Sequence, residues 1–151
     1  MDKRVAATRR TVRGAQEMNA ASGKVMSDNG KKSFKLMIVD DSNIMRRRIE
    51  RSNQFDELEL VGTASNGLEA LEMFKKMDPD VVTMDLTMPQ MDGIECISKL
   101  VVMKPAVRIL VISALADKAT AVEAMEKGAN GFLNKPFTDR QLNEAIADLM
   151  R

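Results

Sequence analysis

From Lys35 onward, short apolar runs alternate with stretches whose apolar residues recur at helical spacing. Strand-like runs separated by helices are typical of a parallel sheet, because parallel strands need long crossover connections. Such a sheet is covered by helices on both faces. The pattern predicts strands at residues 35–40, 58–63, 80–85, 107–113 and 131–134, and helices at residues 43–53, 67–77, 94–102, 117–127 and 139–150.

Five such strand–helix units predict an α/β fold of the flavodoxin-like (βα)5 type, with parallel strands in the order 2-1-3-4-5. Ser42 and Thr138 are predicted N-caps, and Gly128 is a predicted C-cap residue. In this strand order the topological switch point lies between strands one and three. Ligands of such sheets bind outside the carboxyl ends of the strands at that point.

Composition divides the chain into two parts. Residues 1–32 carry a net charge of +5, whereas the remainder carries −4. We expect residues 1–33 to be a basic, mostly disordered extension, since they lack the apolar surface that offsets ordering entropy. Their charge is either simply solvated or binds an acidic partner weakly, and Met26 is an alternative start. Residues 34–151 are expected to form one folded domain.

Several residue types are rare or absent, and this excludes some functions. The chain has no His, which removes His-ligated zinc, Ser-His-Asp triads and a histidine phosphodonor. Cys96 is the single Cys, so we expect no disulfide framework and a reducing, cytoplasmic location. We expect neither a secretory leader nor membrane insertion. DNA binding is disfavoured because the folded part is net acidic.

Charged side chains stand at the ends of three predicted strands. Asp40 and Asp41 close the first, Asp85 closes the third and Lys135 follows the fifth. Three clustered acids repel one another, so the arrangement favours a bound hard cation such as Mg²⁺. Asp85, on the middle strand, is the best-placed nucleophile for attack on phosphorus. Lys135 and the cation would neutralise the charge on the transferred oxygens.

Two hydroxyl residues complete the predicted site. Ser113 ends the fourth strand and offers its hydroxyl to a phosphoryl oxygen, while the backbone carbonyl of Thr87 is a further candidate metal ligand. Each residue taken alone has an ordinary structural explanation, such as a helix cap or a turn. The joint pattern on four strands is what indicates a site.

Three segments carry a resemblance to a known family. Residues 37–42 (MIVDDS), 84–93 (MDLTMPQMDG) and 135–137 (KPF) resemble the receiver domains of two-component response regulators. The resemblance covers roughly residues 35–150. It implies that Asp85 accepts a phosphoryl group from a histidine kinase and that Asp40, Asp41, Asp85 and the Thr87 carbonyl bind Mg²⁺.

The resemblance also implies a conformational switch. Lys135 would pair with the phosphoryl group, and its bond to Pro136 would be cis. Ser113 would move toward the phosphoryl group, Phe132 would turn inward, and the surface around the last two helices and the fifth strand would change. Phe132 lacks the hydroxyl of the commoner tyrosine, so its part in the switch rests on packing. Thr87 replaces the amide of some relatives, which leaves the dephosphorylation rate open.

The motifs look most like the stand-alone chemotaxis regulators of the CheY type. This implies a CheA-like histidine kinase as phosphodonor and an output protein such as a flagellar motor switch protein, with the receiver monomeric and not an enzyme acting on a separate substrate. One alternative is a phosphorelay intermediate or phosphate sink. A phosphatase of the haloacid dehalogenase type would need an acid where Thr87 stands. Arg46, Arg47 and Arg48 are either a solvated face or a kinase contact.

Overall fold

The computed structural model describes residues 25–26, 32–88, 90–114 and 118–151. The predicted disorder of residues 1–33 therefore falls mostly outside the described residues, as do Pro89 and Asp117. The strands are β1 Val25–Met26, β2 Lys32–Val39, β3 Leu58–Ala64, β4 Val81–Met84, β5 Arg108–Ser113 and β6 Gly131–Asn134. The helices are α1 Asn43–Ser52, α2 Gly67–Met77, α3 Gly93–Met103, α4 Lys118–Glu126 and α5 Asp139–Met150.

Strands β2 to β6 form one parallel sheet in the order β3-β2-β4-β5-β6. Counting parallel strands alone, this is the predicted order 2-1-3-4-5, and the fold class is confirmed. Strand β2 lies between β3 and β4, so the carboxyl ends of β2 and β4 are neighbours. This adjacency brings together the residues that follow the two strands.

One feature at the start of the domain was not predicted. Strand β2 begins at Lys32, three residues before the predicted start, and it pairs antiparallel with β1. The register joins Val25 to Ser33 and Met26 to Lys32. Part of the segment expected to be disordered is thus paired with the first long strand. The polar composition of the segment concealed this, because backbone hydrogen bonds in a ladder do not depend on apolar side chains.

Alternation along the strands builds two cores, one on each face of the sheet. Met37 and Val39 of β2 face a core shared with α2, α3 and α4, in which Phe74 and Leu100 are buried. On the opposite face, β2 contributes to a core shared with α1 and α5. That second core consists of Leu36, Ile38, Ile49, Leu58, Val81, Leu110, Ile112, Phe137, Leu142, Ile146 and Leu149.

The helix boundaries follow local capping chemistry. The side chain of Ser42 accepts a hydrogen bond from Met45 N at 3.1 Å, and Thr138 forms a capping box with Gln141. Gly128 follows α4 with φ of 118°, a conformation that favours glycine. These three capping predictions are confirmed. Among the described residues, no helix is both long and apolar enough to cross a membrane.

Candidate functional site

Three carboxylates meet at the carboxyl edge of the sheet. Asp40 and Asp41 follow β2, and Asp85 follows β4. The amide of Asp85 donates to the Val39 carbonyl at 2.9 Å, which locks the two strand ends together. One carboxylate oxygen from each of the three residues lies within 4.8 Å of the others. Asp40 and Asp85 are buried, with 1% and 3% exposure, whereas Asp41 is exposed.

Lys135 brings a positive charge to these acids from the end of β6. Its amide donates to the Ser113 carbonyl at 2.9 Å, which fixes the backbone beside β5. Its Nζ lies 2.8 Å from Oδ2 of Asp40 and 3.8 Å from Oδ1 of Asp85. The Lys135–Pro136 peptide bond is cis, as the family resemblance implied. The ammonium therefore pairs primarily with Asp40 and secondarily with Asp85.

Asp85 has an unusual protonation equilibrium. Burial raises the pKa of its carboxyl to about 6, and the neighbouring charge of Asp40 adds to the rise. Lys135 and a hydrogen bond from the Thr87 amide act in the opposite direction. That hydrogen bond, from Thr87 N to Asp85 Oδ1, is long at 3.4 Å. Asp85 is thus a desolvated carboxylate next to another negative charge, and either a proton or a cation relieves its repulsion.

Asp40 is held from three directions. Its Oδ1 accepts a hydrogen bond from Ser42 N at 2.9 Å, while Oδ2 accepts one from Lys135. Its backbone carbonyl accepts from Nη1 of Arg46 at 2.5 Å. The sequence alone indicates only that Arg46 belongs to a solvated face or contacts a kinase. Its contact with Asp40 was missed because helical spacing does not reveal which backbone carbonyl a long side chain reaches.

The remaining predicted residues lie around this cluster. Ser113 ends β5 and is fully buried, and Thr87 is exposed two residues after Asp85. Phe132 in β6 is partly buried and packs against the core on the side of α2, α3 and α4. Thr87, Ser113 and Lys135 lie at or just beyond the carboxyl ends of their strands, as the three acids do, whereas Phe132 lies within β6. Their roles in phosphoryl transfer, metal binding and switching stay predictions.

The cluster fits a hard divalent cation. Its donors are carboxylate oxygens, which Mg²⁺ prefers, and the exposed side of Asp41 leaves room for the waters that this ion retains. The negative charge of Asp40 adds to the rise that burial causes in the pKa of Asp85. The single ammonium of Lys135 does not match three carboxylates in charge. Asp40, Asp41 and Asp85 would therefore hold the ion.

Comparisons with known proteins place the chain among response regulator receiver domains. The model of the response regulator receiver domain matches residues 36–147. The chemotaxis protein CheY of Listeria monocytogenes is 38% identical over 113 residues, covering 75% of this chain and 95% of that protein. A protein-glutamate methylesterase/protein-glutamine glutaminase of Photobacterium profundum is 44% identical over 125 residues, covering 79% of this chain but 31% of that enzyme.

A solved structure supports the same assignment. The crystal structure of the CheX–CheY–BeF3–Mg²⁺ complex from Borrelia burgdorferi matches with a TM-score of 0.76 and 30% identity, covering 82% of this chain and 93% of that one. The chain belongs to the response regulator receiver domain family. Within that family it is closely related to CheY proteins, and the receiver match spans nearly all of the folded part.

The charge balance predicts how Asp85 affects stability. Because the pKa of Asp85 is higher in the folded protein than in the unfolded chain, the folded state binds the extra proton between about pH 4 and 6. The stability of the folded protein therefore falls as the pH rises from about 4 to 6, and the full cost of ionised Asp85 is present above pH 6. We expect Asp85→Asn to raise the free energy of unfolding by about 1–3 kcal/mol at pH 7.5 without Mg²⁺. Urea unfolding in a chelating buffer measures this.

Two conditions check the explanation. The difference between parent and variant should shrink as the pH falls from 7.5 to 5, because the parent then protonates Asp85. Added Mg²⁺ should stabilise the parent more than the variant. An Asp85→Asn protein that is less stable than the parent at pH 7.5 would contradict the description of Asp85 as a repelled, buried carboxylate.

Proposed function

We propose that this chain is a phosphorylation-switched response regulator in which Asp85 accepts a phosphoryl group in a Mg²⁺-dependent reaction. The observation that carries the proposal is the convergence of Asp40, Asp41, Asp85 and Lys135 at the carboxyl edge of a receiver fold. The phosphodonor is a CheA-like histidine kinase, by relation to CheY proteins. The cytoplasm is the proposed location, consistent with the single, buried Cys96 thiol.

Asp85 acts as the nucleophile in this scheme. A carboxylate oxygen of Asp85 attacks the donor phosphorus, an O–P bond forms, and the P–N bond of the phosphohistidine breaks. The electron pair of that bond returns to the donor imidazole. Burial of Asp85 strips water from the attacking oxygen. The proposed reaction needs the ionised carboxylate, and a pKa of about 6 leaves most of it ionised at neutral pH.

Positive charge and hydrogen bonding support the transfer. Mg²⁺, when bound, neutralises charge on the transferred oxygens. Lys135 stands 3.8 Å from Asp85 and supplies its ammonium to a phosphoryl oxygen on that residue. The hydroxyl of Ser113 is a further proposed donor, and Thr87 controls the approach of water from the exposed side. The chain catalyses its own phosphorylation and slow dephosphorylation and is not an enzyme for a separate substrate.

The proposed output is a change in binding to another protein. Phe132 is partly buried in the edge strand β6 and packs against the core that contains Ala124 of α4, so a shift in its packing would alter this surface. Val122 and Met125 of α4 are exposed at 49% and 44%, which supplies apolar contact area. Relation to CheY proteins favours a flagellar motor switch protein as the partner. Chemotaxis is therefore the pathway we propose.

The phosphoacceptor assignment is tested with acetyl phosphate and Mg²⁺, read by intact mass. We expect one added phosphoryl group on the parent and none on Asp85→Asn, because Asn lacks the nucleophilic oxygen anion. Asp56→Asn changes an exposed acid that precedes the start of β3, at the opposite edge of the parallel sheet from the site, and should be labelled like the parent. Labelling of Asp85→Asn to the parent level would overturn the assignment.

The output surface is tested with the beryllofluoride-bound protein and the motor switch protein of the same organism. We expect Val122→Glu to weaken binding about tenfold, since it places a charge in the apolar contact. Val102→Glu alters a valine on α3 that is 81% exposed, more than Val122, and should bind like the parent. Equal weakening by both variants would refute the α4 surface.

Transfer of the Asp85 phosphoryl group to a histidine phosphotransfer protein would instead favour a relay.

A further inference from the structure

We infer that Arg48 is a positioning residue for Lys135, an inference that rests on the proposed function. Arg48 lies on α1, whereas Lys135 lies in the turn between β6 and α5. The two are linked through Phe137, whose backbone carbonyl accepts a hydrogen bond from Nη2 of Arg48. The guanidinium also stacks on the ring of Phe137, 4.3 Å from its centroid. Phe137 is two residues from Lys135, so Arg48 holds the turn.

The turn has one anchor on each side of Lys135. On the strand side, the amide of Lys135 donates to the Ser113 carbonyl at 2.9 Å. On the helix side, Phe137 is 4% exposed within the core shared by α1 and α5, and Arg48 caps its carbonyl. Asp139 lies 3.6 Å from Arg48 and accepts a hydrogen bond from Ser52, which orients the guanidinium. The second anchor therefore depends on α1.

The same helix also holds the partner of Lys135. Arg46 donates to the carbonyl of Asp40, and Asp40 Oδ2 accepts a hydrogen bond from Lys135 at 2.8 Å. One helix thus fixes both members of this ion pair, Asp40 through Arg46 and Lys135 through Arg48. The Nζ of Lys135 is 1.0 Å farther from Asp85 than from Asp40. A small displacement of the turn would change which carboxylate the ammonium serves.

This geometry predicts opposite effects on two measurable quantities. In the metal-free protein, Lys135 occupies an oxygen of Asp40, so it competes with a cation for that carboxylate. A loosened turn weakens this competition and tightens Mg²⁺ binding. The same loosening removes the ammonium from its place beside Asp85 and slows phosphoryl transfer. A general loss of order at the site would weaken both.

The test compares Arg48→Met with the parent by calorimetric Mg²⁺ titration and by the rate of phosphorylation from acetyl phosphate at saturating Mg²⁺. We expect Mg²⁺ to bind about threefold tighter and phosphorylation to slow about tenfold. Arg48→Lys should fall between, because an ammonium can donate to the Phe137 carbonyl but lacks the planar stack. Arg47→Met removes a charge from an exposed position of the same helix and should match the parent.

A double variant tests whether Arg48 acts through Lys135. Lys135→Met should tighten Mg²⁺ binding and slow phosphorylation more than Arg48→Met does, and adding Arg48→Met to it should change neither quantity further. Thermal unfolding shows that each variant is folded. Three results would overturn the inference. Arg48→Met could match the parent, or it could lower both the Mg²⁺ affinity and the phosphorylation rate. Alternatively, Arg48→Met could have its full effect in the Lys135→Met background as well. A parent that binds Mg²⁺ without being phosphorylated would refute the proposed function alone, since the Mg²⁺ titrations still test Arg48.

Discussion

The crowding of negative charge at the carboxyl edge of the sheet is the constraint on which the site depends. Asp40 and Asp85 are buried side by side, with Asp41 at the exposed rim. Lys135 offsets part of this charge, mainly at Asp40. Burial, with the neighbouring charge of Asp40, raises the pKa of Asp85 to about 6, and the unbalanced negative charge favours binding of a cation. The charge imbalance accounts for the proposed metal dependence, and the burial of Asp85 accounts for the desolvated nucleophile.

The fold maintains this unfavourable arrangement by anchoring each charged residue separately. The neighbouring strands β2 and β4 set the separation of Asp40 and Asp85, and the β5–β6 pair sets the backbone of Lys135. The two hydrophobic cores hold the strands from both faces. Helix α1 then adds a direct contact to Asp40 through Arg46 and an indirect link to Lys135 through Arg48 and Phe137. Packing and hydrogen bonds away from the carboxylates therefore add to the direct contacts that stabilise the charge cluster.

Features set by local sequence were predictable, and those set by long-range side-chain contacts were not. The alternation of strand-like apolar runs with helical stretches predicted five strand–helix units. The strand order expected for such a fold brings Asp40, Asp85 and Lys135 together. Ser42, Gly128 and Thr138 marked their helix ends because capping depends on residues a few positions apart. The contact of Arg48 with Phe137 joins residues 89 positions apart, and no periodicity reveals it. The β1–β2 pairing was missed for a similar reason, since it depends on backbone hydrogen bonds in a polar segment.

The most direct test of this account is a carbon-detected NMR titration of the Asp85 carboxyl in the metal-free protein and with saturating Mg²⁺. We expect a pKa of about 6 without the ion. With Mg²⁺ bound, the pKa should fall well below that value, because the cation stabilises the ionised carboxylate. An ordinary aspartate pKa that is unchanged by Mg²⁺ would contradict the claim that repelled, buried carboxylates define this site.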